Sequence, residues 1–64
     1  MSTRWLVDGM ELSGGATRQD AEDVAYSLAK RDRYDVLCLE QNERGDEVSA
    51  FAVAPDGRMW SVKP

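Results

Sequence analysis

Few residues of this 64-residue chain could do covalent or metal chemistry. It has no histidine and one cysteine, Cys38, so its side chains offer neither an ordinary zinc site nor a histidine-dependent base. Cys38 lies in an apolar stretch, where a thiol usually packs as a small hydrophobic group. Carboxylates are available for acid–base work, but their spacing places no two of them in an apolar cleft. The sequence therefore predicts a non-enzymatic protein without cofactor or metal.

A glycine pair, Gly14 and Gly15, stands before a predicted helix. Glycine-rich loops at helix starts can hold phosphate groups through free backbone amides. The further glycines and the lysine of such loops are missing here, so the pair is interpreted as a flexible connector.

The charge balance is acidic, with 12 acidic residues against 8 basic ones and a formal net charge of -4. Proteins that bind nucleic acid by themselves are usually basic, because phosphate contacts supply much of their affinity. The acidic balance favours solubility, or a partner with a basic groove. The single cysteine and the lack of a signal-like or membrane-spanning run in residues 1–12 lead us to expect a cytoplasmic protein that does not enter membranes.

The acidic residues that could contact a partner gather in two places. They are Asp20, Glu22 and Asp23 in the first turns of the predicted helix, and Glu40, Glu43, Asp46 and Glu47 around the first predicted hairpin. The macrodipole explains the helix acids. The hairpin acids have only Arg44 among them, so they act either as a solvated edge against aggregation or as a phosphate-like row that fits a basic groove.

One segment, from Thr17 to Lys30, has a sustained helical period. Its apolar residues form one stripe: Ala21, Val24, Ala25, Leu28 and Ala29. Thr17 is a good N-cap, and Asp20 stands at the third helical position, where a carboxylate meets free amides. The sequence predicts that this helix covers one side of a small sheet.

The rest of the chain reads as strands and turns. Strands are predicted at 4–7, 34–40, 47–54 and 58–63, with turns at 42–45 and at Pro55-Asp56-Gly57. Asp8-Gly9 indicates either a bulge or a tight turn before 10–12, and the position of the first strand stays open. Residues 1–64 are thus predicted to form one α+β domain, a two-layer β-α-β-β-β arrangement with one amphipathic helix on a small antiparallel sheet.

Two sheet faces follow from the expected pairing of Leu37 with Ala50 and of Ala52 with Trp60. The face expected under the helix carries Leu37, Leu39, Val48, Ala50, Ala52, Trp60 and Val62, because its alanines leave room for Trp60 and the helix. The other carries Tyr34, Val36, Cys38, Ser49, Phe51, Val53, Met59 and Ser61 and is expected to form an exposed apolar patch. Alternatively, the N-terminal segment covers that patch, or a different loop length exchanges the faces.

The order of elements and the ending Pro55-Asp56-Gly57-Arg58-Met59-Trp60 resemble the small phage anti-CRISPR proteins that act on type I, Cascade-like surveillance complexes. The resemblance implies a non-catalytic inhibitor that blocks target DNA. Some members are basic, so none of their DNA-contacting residues is carried over to this acidic chain. The acidic balance suits another style of inhibitor, in which carboxylates stand in for DNA phosphates on the basic DNA path of the complex, and we expect the seven acidic residues above to contact the partner.

Two alternatives come from other classes of protein. One is a structural or regulatory homodimer joined through the face of Phe51, Val53 and Met59. The other is direct nucleic-acid binding through Lys30, Arg31, Arg33 and Trp60, which the acidic balance disfavours. The expected state is accordingly a monomer or a weak homodimer.

Overall fold

The computed structural model describes residues 3–62. Its elements are β1 (Arg4–Val7), β2 (Met10–Glu11), α1 (Arg18–Asp32), β3 (Val36–Gln41), β4 (Glu47–Val53) and β5 (Met59–Ser61). The strands form one antiparallel sheet in the order β2-β1-β3-β4-β5. The predicted α+β class and two-layer architecture are confirmed.

The N-terminal segment adds a strand that the sequence left undecided. Asp8 and Gly9 form a tight turn with φ angles of 53° and 82°. The turn pairs Leu6 with Glu11, so β1 and β2 are a hairpin rather than one bulged strand. β1 also pairs with β3, which places it inside the sheet and leaves β2 at the edge.

The helix begins where the sequence predicts. The Thr17 hydroxyl accepts from the Asp20 amide at 3.2 Å, and the Asp20 carboxylate accepts from the Thr17 amide at 2.9 Å. This reciprocal capping box satisfies two amides that lack helical partners. The helix runs two residues beyond Lys30 and ends at Arg33, whose left-handed backbone (φ 62°) lets its amide donate to the Ala29 carbonyl.

The register of the last hairpin is as predicted, with Ala52 across from Trp60. That of β3 and β4 differs, because Leu37 pairs with Ala52 rather than with Ala50. Asn42 pairs with Asp46 across the turn, one residue off the expected register. A bulge between Glu40 and Gln41 shifts the register by one more residue. Because the shifts sum to two, the side chains stay grouped as predicted.

The prediction of which face the helix covers was wrong. Val36, Cys38, Phe51 and Val53 are buried in one cluster with the helix alanines, while Leu37 and Trp60 on the opposite side are exposed. The reason is β1, which places Trp5 and Val7 on the same side as Phe51 and completes a core that β3 and β4 alone do not specify. The homodimer surface expected at Phe51, Val53 and Met59 is therefore largely core.

The core is built from large residues on the sheet and small ones on the helix. Ala21, Ala25 and Ala29 are fully buried, which lets the helix backbone approach the sheet closely. Val24 and Leu28 pack at the margin of this cluster. The helix thus covers one side of the sheet, and the other side is called the open face below.

Candidate functional site

The open face is apolar across four strands. Its side chains are Leu6 on β1, Leu37 and Leu39 on β3, Ala50 and Ala52 on β4, and Trp60 on β5. An antiparallel sheet face that meets water normally alternates to polar residues. Leu37 and Trp60 are nevertheless 41% and 42% exposed. A contiguous apolar surface of this kind on a small domain is typical of a contact site.

The shape of the open face depends on the two small residues of β4, Ala50 and Ala52. Ala50 and Ala52 lie between the leucines of β3 on one side and Trp60 on the other. Both alanines are buried by these larger neighbours. The face is therefore a shallow trough between two ridges, and its largest side chain stands on the strand at the sheet edge.

Two arginines that border the open face are paired locally. Arg4, two residues before Leu6, lies 3.2 Å from the Glu11 carboxylate. Arg58, two residues before Trp60, lies 2.8 Å from the Asp56 carboxylate. The Asp56 carboxylate accepts hydrogen bonds from the backbone amide and from the guanidinium of Arg58. Both bonds lower the pKa of Asp56, and the bond from the backbone amide has the larger effect. Each of these two pairs sums to zero formal charge, whereas Asp35, two residues before Leu37, and Glu47, across from Gln41, lie at the border without an ion pair among the described residues.

The three predicted acidic residues of the helix have local partners. Asp20 belongs to the capping box described above. Glu22 lies 3.0 Å from the Arg18 guanidinium one turn earlier. Asp23 accepts a hydrogen bond from the Gln19 amide at 3.0 Å. These contacts explain the acids structurally, and they leave the outer carboxylate oxygens available to a partner.

The four predicted acidic residues of the β3–β4 hairpin differ in their surroundings. Glu40 accepts hydrogen bonds at 2.8 Å from the hydroxyls of Thr3 and Ser49. Asp46 lies 3.6 Å from Arg44 across an exposed turn. Glu47 is exposed at the start of β4. Glu43 lines a shallow depression of about 350 Å³ together with Thr3, Arg4, Gly14, Gly15 and Asn42.

That depression lies between the connector that leads into the helix and the turn between β3 and β4. Its wall includes Gly14 and Gly15, which lead into the helix, and Asn42 and Glu43 of the hairpin turn. The helix start and this turn therefore lie at one end of the molecule, which is called the acidic end below because the seven predicted acidic residues belong to these two segments or adjoin them. Two of their carboxylates pair with arginines, Glu22 with Arg18 and Asp46 with Arg44.

The residues of the nucleic-acid alternative lie on two sides of the sheet. Lys30, Arg31 and Arg33 are at the end of the helix, whereas Trp60 belongs to the open face. Lys30 stands over the Tyr26 ring at 5.6 Å. Arg31 hydrogen-bonds to Asp32, which raises the pKa of Arg31 and lowers that of Asp32. The structure therefore does not bring Trp60 together with these three cations.

Cys38 is fully buried beneath the helix, with its sulfur 3.9 Å from the Ala21 carbonyl oxygen. Burial raises the pKa of its thiol to about 11, so the thiol stays protonated at neutral pH. Within residues 3–62, no three His, Cys, Asp or Glu side chains come together in a way that could hold a metal ion. The same part of the chain contains no helix long and apolar enough to cross a membrane.

Sequence reasoning found Trp60 and Leu37 but placed them in the core, and it missed Leu6. The signal for Leu6 was the alternation in β1, where Trp5 and Val7 flank it and must point the other way. Comparisons with protein-family models, with curated proteins and with solved structures gave no match to this chain.

Proposed function

We propose that this chain is a small, non-catalytic protein-interaction module that acts in the cytoplasm and docks through the open face. The observation that supports this most directly is the exposure of Leu37 and Trp60 on the sheet side opposite the helix. A chain of 64 residues has little apolar surface to spare, because small domains bury a low fraction of their surface. Leaving a tryptophan and three leucines outside the core is accounted for by a partner that covers them.

The composition of the open face suits protein recognition. Tryptophan is enriched among the residues that contribute most to binding at protein interfaces. Burial of apolar area contributes about 25 cal/mol per Å², so covering Trp60 and its leucine neighbours is a substantial driving force. The Arg4–Glu11 and Arg58–Asp56 pairs at the border add polar contacts at a rim.

A photo-crosslinker tests this proposal. Benzoylphenylalanine replaces Trp60 in one variant and Ser27, on the exposed side of the helix, in a control. In cells that produce the protein, we expect a discrete covalent adduct with a protein from position 60 and none from position 27. The same adducts from both positions, or none from either, would contradict docking through the open face.

A second candidate function follows from the charge of the acidic end. We propose that this end can enter a basic groove, as in an anti-CRISPR inhibitor that occupies the DNA path of a type I surveillance complex with carboxylates in place of phosphates. The observation in its favour is that the helix start and the β3–β4 turn, which carry the seven predicted acidic residues, lie at one end of the molecule. Electrostatic attraction of this kind speeds association and weakens as salt is added.

Matched charge reversals test the second candidate. Asp46→Lys/Glu47→Lys alters the acidic end, and Asp32→Lys/Asp35→Lys makes the same change of charge near the other end of the helix. Each double variant removes one ion-paired and one unpaired acid among the described residues. We expect only the first to lose inhibition of target-DNA binding by a type I complex. Equal inhibition by both, at low and high salt, counts against it.

A further inference from the structure

We propose that the occupant of the open face is a basic amphipathic helix of a partner protein, which lies along β4 with large apolar side chains in the trough and cations at both ends of it. The inference rests on the proposed function above, since it names the chemistry of the partner at the same surface. The trough is the column of Ala50 and Ala52 between the leucines of β3 and Trp60 of β5.

The pairing of the strands limits what the open face can bind. β1, β3 and β4 each have a hydrogen-bonded neighbour on both sides, so they present side chains to an occupant above them. An extended segment laid on this face would have its own backbone amides and carbonyls buried without partners, which is costly. A helix satisfies these groups internally, so it is the element that can cover the face by itself.

The shape of the trough also suits a helix. Neighbouring strands lie about 4.8 Å apart, so the ridges on β3 and β5 are separated by about 10 Å, close to the diameter of a helix. On the covered side, large residues of the sheet meet the small residues Ala21, Ala25 and Ala29 of α1. On the open face the small residues belong to the sheet, so a partner helix must supply the large ones.

The charges at the two ends of the trough favour a cationic partner. Asp35 precedes β3 at one end and Glu47 begins β4 at the other, and within residues 3–62 neither belongs to an ion pair. Asp8, whose carboxylate accepts from the neutral Tyr34 hydroxyl, lies at the Asp35 end, where its amide donates to the carbonyl of residue 37. Arg33 is near Asp35 in sequence but caps the helix. The net charge of -4 has the same sign as these acids, so the field of the chain also attracts cations.

The positions of Asp35 and Glu47 predict the spacing of the partner's cations. Glu47 lies across from Gln41, which is six residues after Asp35, so the two acids are about 20 Å apart along β3. A helix rises about 1.5 Å per residue, which places the matching cations about 13 residues apart. Between them we expect large apolar residues at steps of three and four.

Titration with model peptides, followed by nitrogen–proton correlation spectra of the labelled protein, tests the inference. The probe is a blocked peptide of about 14 residues with leucines at helical spacing and lysines in both terminal turns. A control peptide has glutamates in place of the lysines. We expect the lysine peptide to bind with shifts centred on β3, β4 and β5, and the glutamate peptide to bind at least about tenfold more weakly. Equal binding of the two peptides, or no binding of the lysine peptide at millimolar concentration, overturns the inference.

Two double variants separate the acids at the trough from the overall charge. Asp35→Asn/Glu47→Gln removes the acids at its ends, and Asp23→Asn/Asp32→Asn removes two exposed acids of the helix as the matched control. We expect only the first to weaken the lysine peptide, by about three- to tenfold at low salt, because exposed ion pairs act at short range. Trp60→Ser should weaken it by more than about tenfold and leave the fold intact, since Trp60 is 42% exposed. Equal weakening by both double variants overturns the inference, because it indicates attraction to net charge alone.

The adduct formed in cells from the crosslinker at position 60 separates this inference from the proposed function. A crosslinked partner segment with an amphipathic helical pattern and lysine or arginine at both ends supports both. An acidic segment, a segment with strand alternation or a second copy of this chain overturns the basic helix and leaves the interaction module standing. The absence of any adduct overturns both.

Discussion

The ring of Trp5 meets the ring of Phe51 edge-on, with the centroids 5.7 Å apart and the planes at 67°. The guanidinium of Arg18 covers the Phe51 ring from the helix side at 4.4 Å. Edge-to-face aromatic pairs and cation–π contacts each add stability beyond the buried area. This contact joins β1 to β4 across β3 and fixes which side of the sheet the helix covers.

Replacement of Phe51 tests that assignment directly. Phe51→Ala removes a side chain that is 1% exposed and should cost about 3–5 kcal/mol of unfolding free energy. For a domain of this size that loss approaches the total stability, so we expect the variant to be unfolded at 25 °C. Leu37→Ala on the open face should cost only about 1 kcal/mol, because Leu37 is already 41% exposed.

Urea unfolding followed by circular dichroism measures both variants in dilute solution. Phe51→Leu provides a milder change at the same site that should still fold. If Leu37→Ala destabilises the protein as much as Phe51→Ala does, the assignment of the two faces is wrong.

The capping box predicts a measurable loss when its hydroxyl is removed. Thr17→Ala leaves the Asp20 amide without its 3.2 Å acceptor and should lower the unfolding free energy by about 1 kcal/mol. Ser27→Ala, on the exposed middle of the helix, should be neutral or slightly stabilising, since alanine has the higher helix propensity. Thermal unfolding compares the two, and a Thr17→Ala variant as stable as Ser27→Ala would show that the cap contributes nothing.

Arg33 offers a stabilising substitution at the other end of the helix. Its φ of 62° is a left-handed conformation, which costs a residue with a side chain about 1–2 kcal/mol relative to glycine. Arg33→Gly should therefore raise the stability, by up to about 1 kcal/mol after the greater freedom of the unfolded glycine is subtracted. Arg31→Gly removes the same charge from the last turn but should destabilise, because glycine is unfavourable inside a helix. Chemical denaturation of both variants should give shifts of opposite sign.

Cys38 makes stability depend on pH in the alkaline range. Its pKa is raised to about 11 in the folded protein, against an ordinary value of 9.0, so the folded state holds a proton that the unfolded state releases first. The stabilisation that comes from the protonated Cys38 thiol is complete below pH 9.0 and is lost as the pH rises towards about 11. In that range the free energy of unfolding falls by about 1.4 kcal/mol per pH unit. Tyr34, whose pKa is raised by its hydrogen bond to Asp8, acts in the same direction above pH 10.0.

Cys38→Ala separates the two groups. It should be less stable at neutral pH but should show a shallower decline between pH 9.0 and about 11, measured by urea titrations at several pH values. An equal decline in both proteins would mean that the Cys38 thiol does not titrate differently on unfolding. Reaction of the thiol with a disulfide reagent should be slow in the folded protein and fast in urea.

Local signals in the sequence predict most of the elements of this fold. Thr17 with Asp20 marks the helix start, and Pro55-Asp56-Gly57 marks the last hairpin, because each depends on backbone chemistry within a few residues. The grouping of side chains into two faces was also predictable, since a strand alternates with a period of two. It survived a turn and a bulge that each moved the register by one residue.

The covered face could not be predicted from β3, β4 and β5 alone. Both of their faces are apolar, with Val36 and Phe51 on one and Leu37 and Trp60 on the other, so alternation gives no preference. Trp5 and Val7 determine which face is covered, because they lie on the same side as Phe51. This can be inferred only once β1 is known to pair with β3. That pairing spans more than thirty residues of sequence and leaves no local trace.

The separation of charge along the molecule determines what an approaching particle encounters. The six residues of β3 span about 20 Å, more than twice the screening length of about 8 Å at physiological ionic strength. The carboxylates around the β3–β4 turn therefore act independently of the charges at the end of the helix, where Lys30, Arg31 and Arg33 lie beside Asp32 and Asp35. The negative charge of the chain is unevenly distributed, so the orientation in which it meets a charged particle matters as well as its net charge.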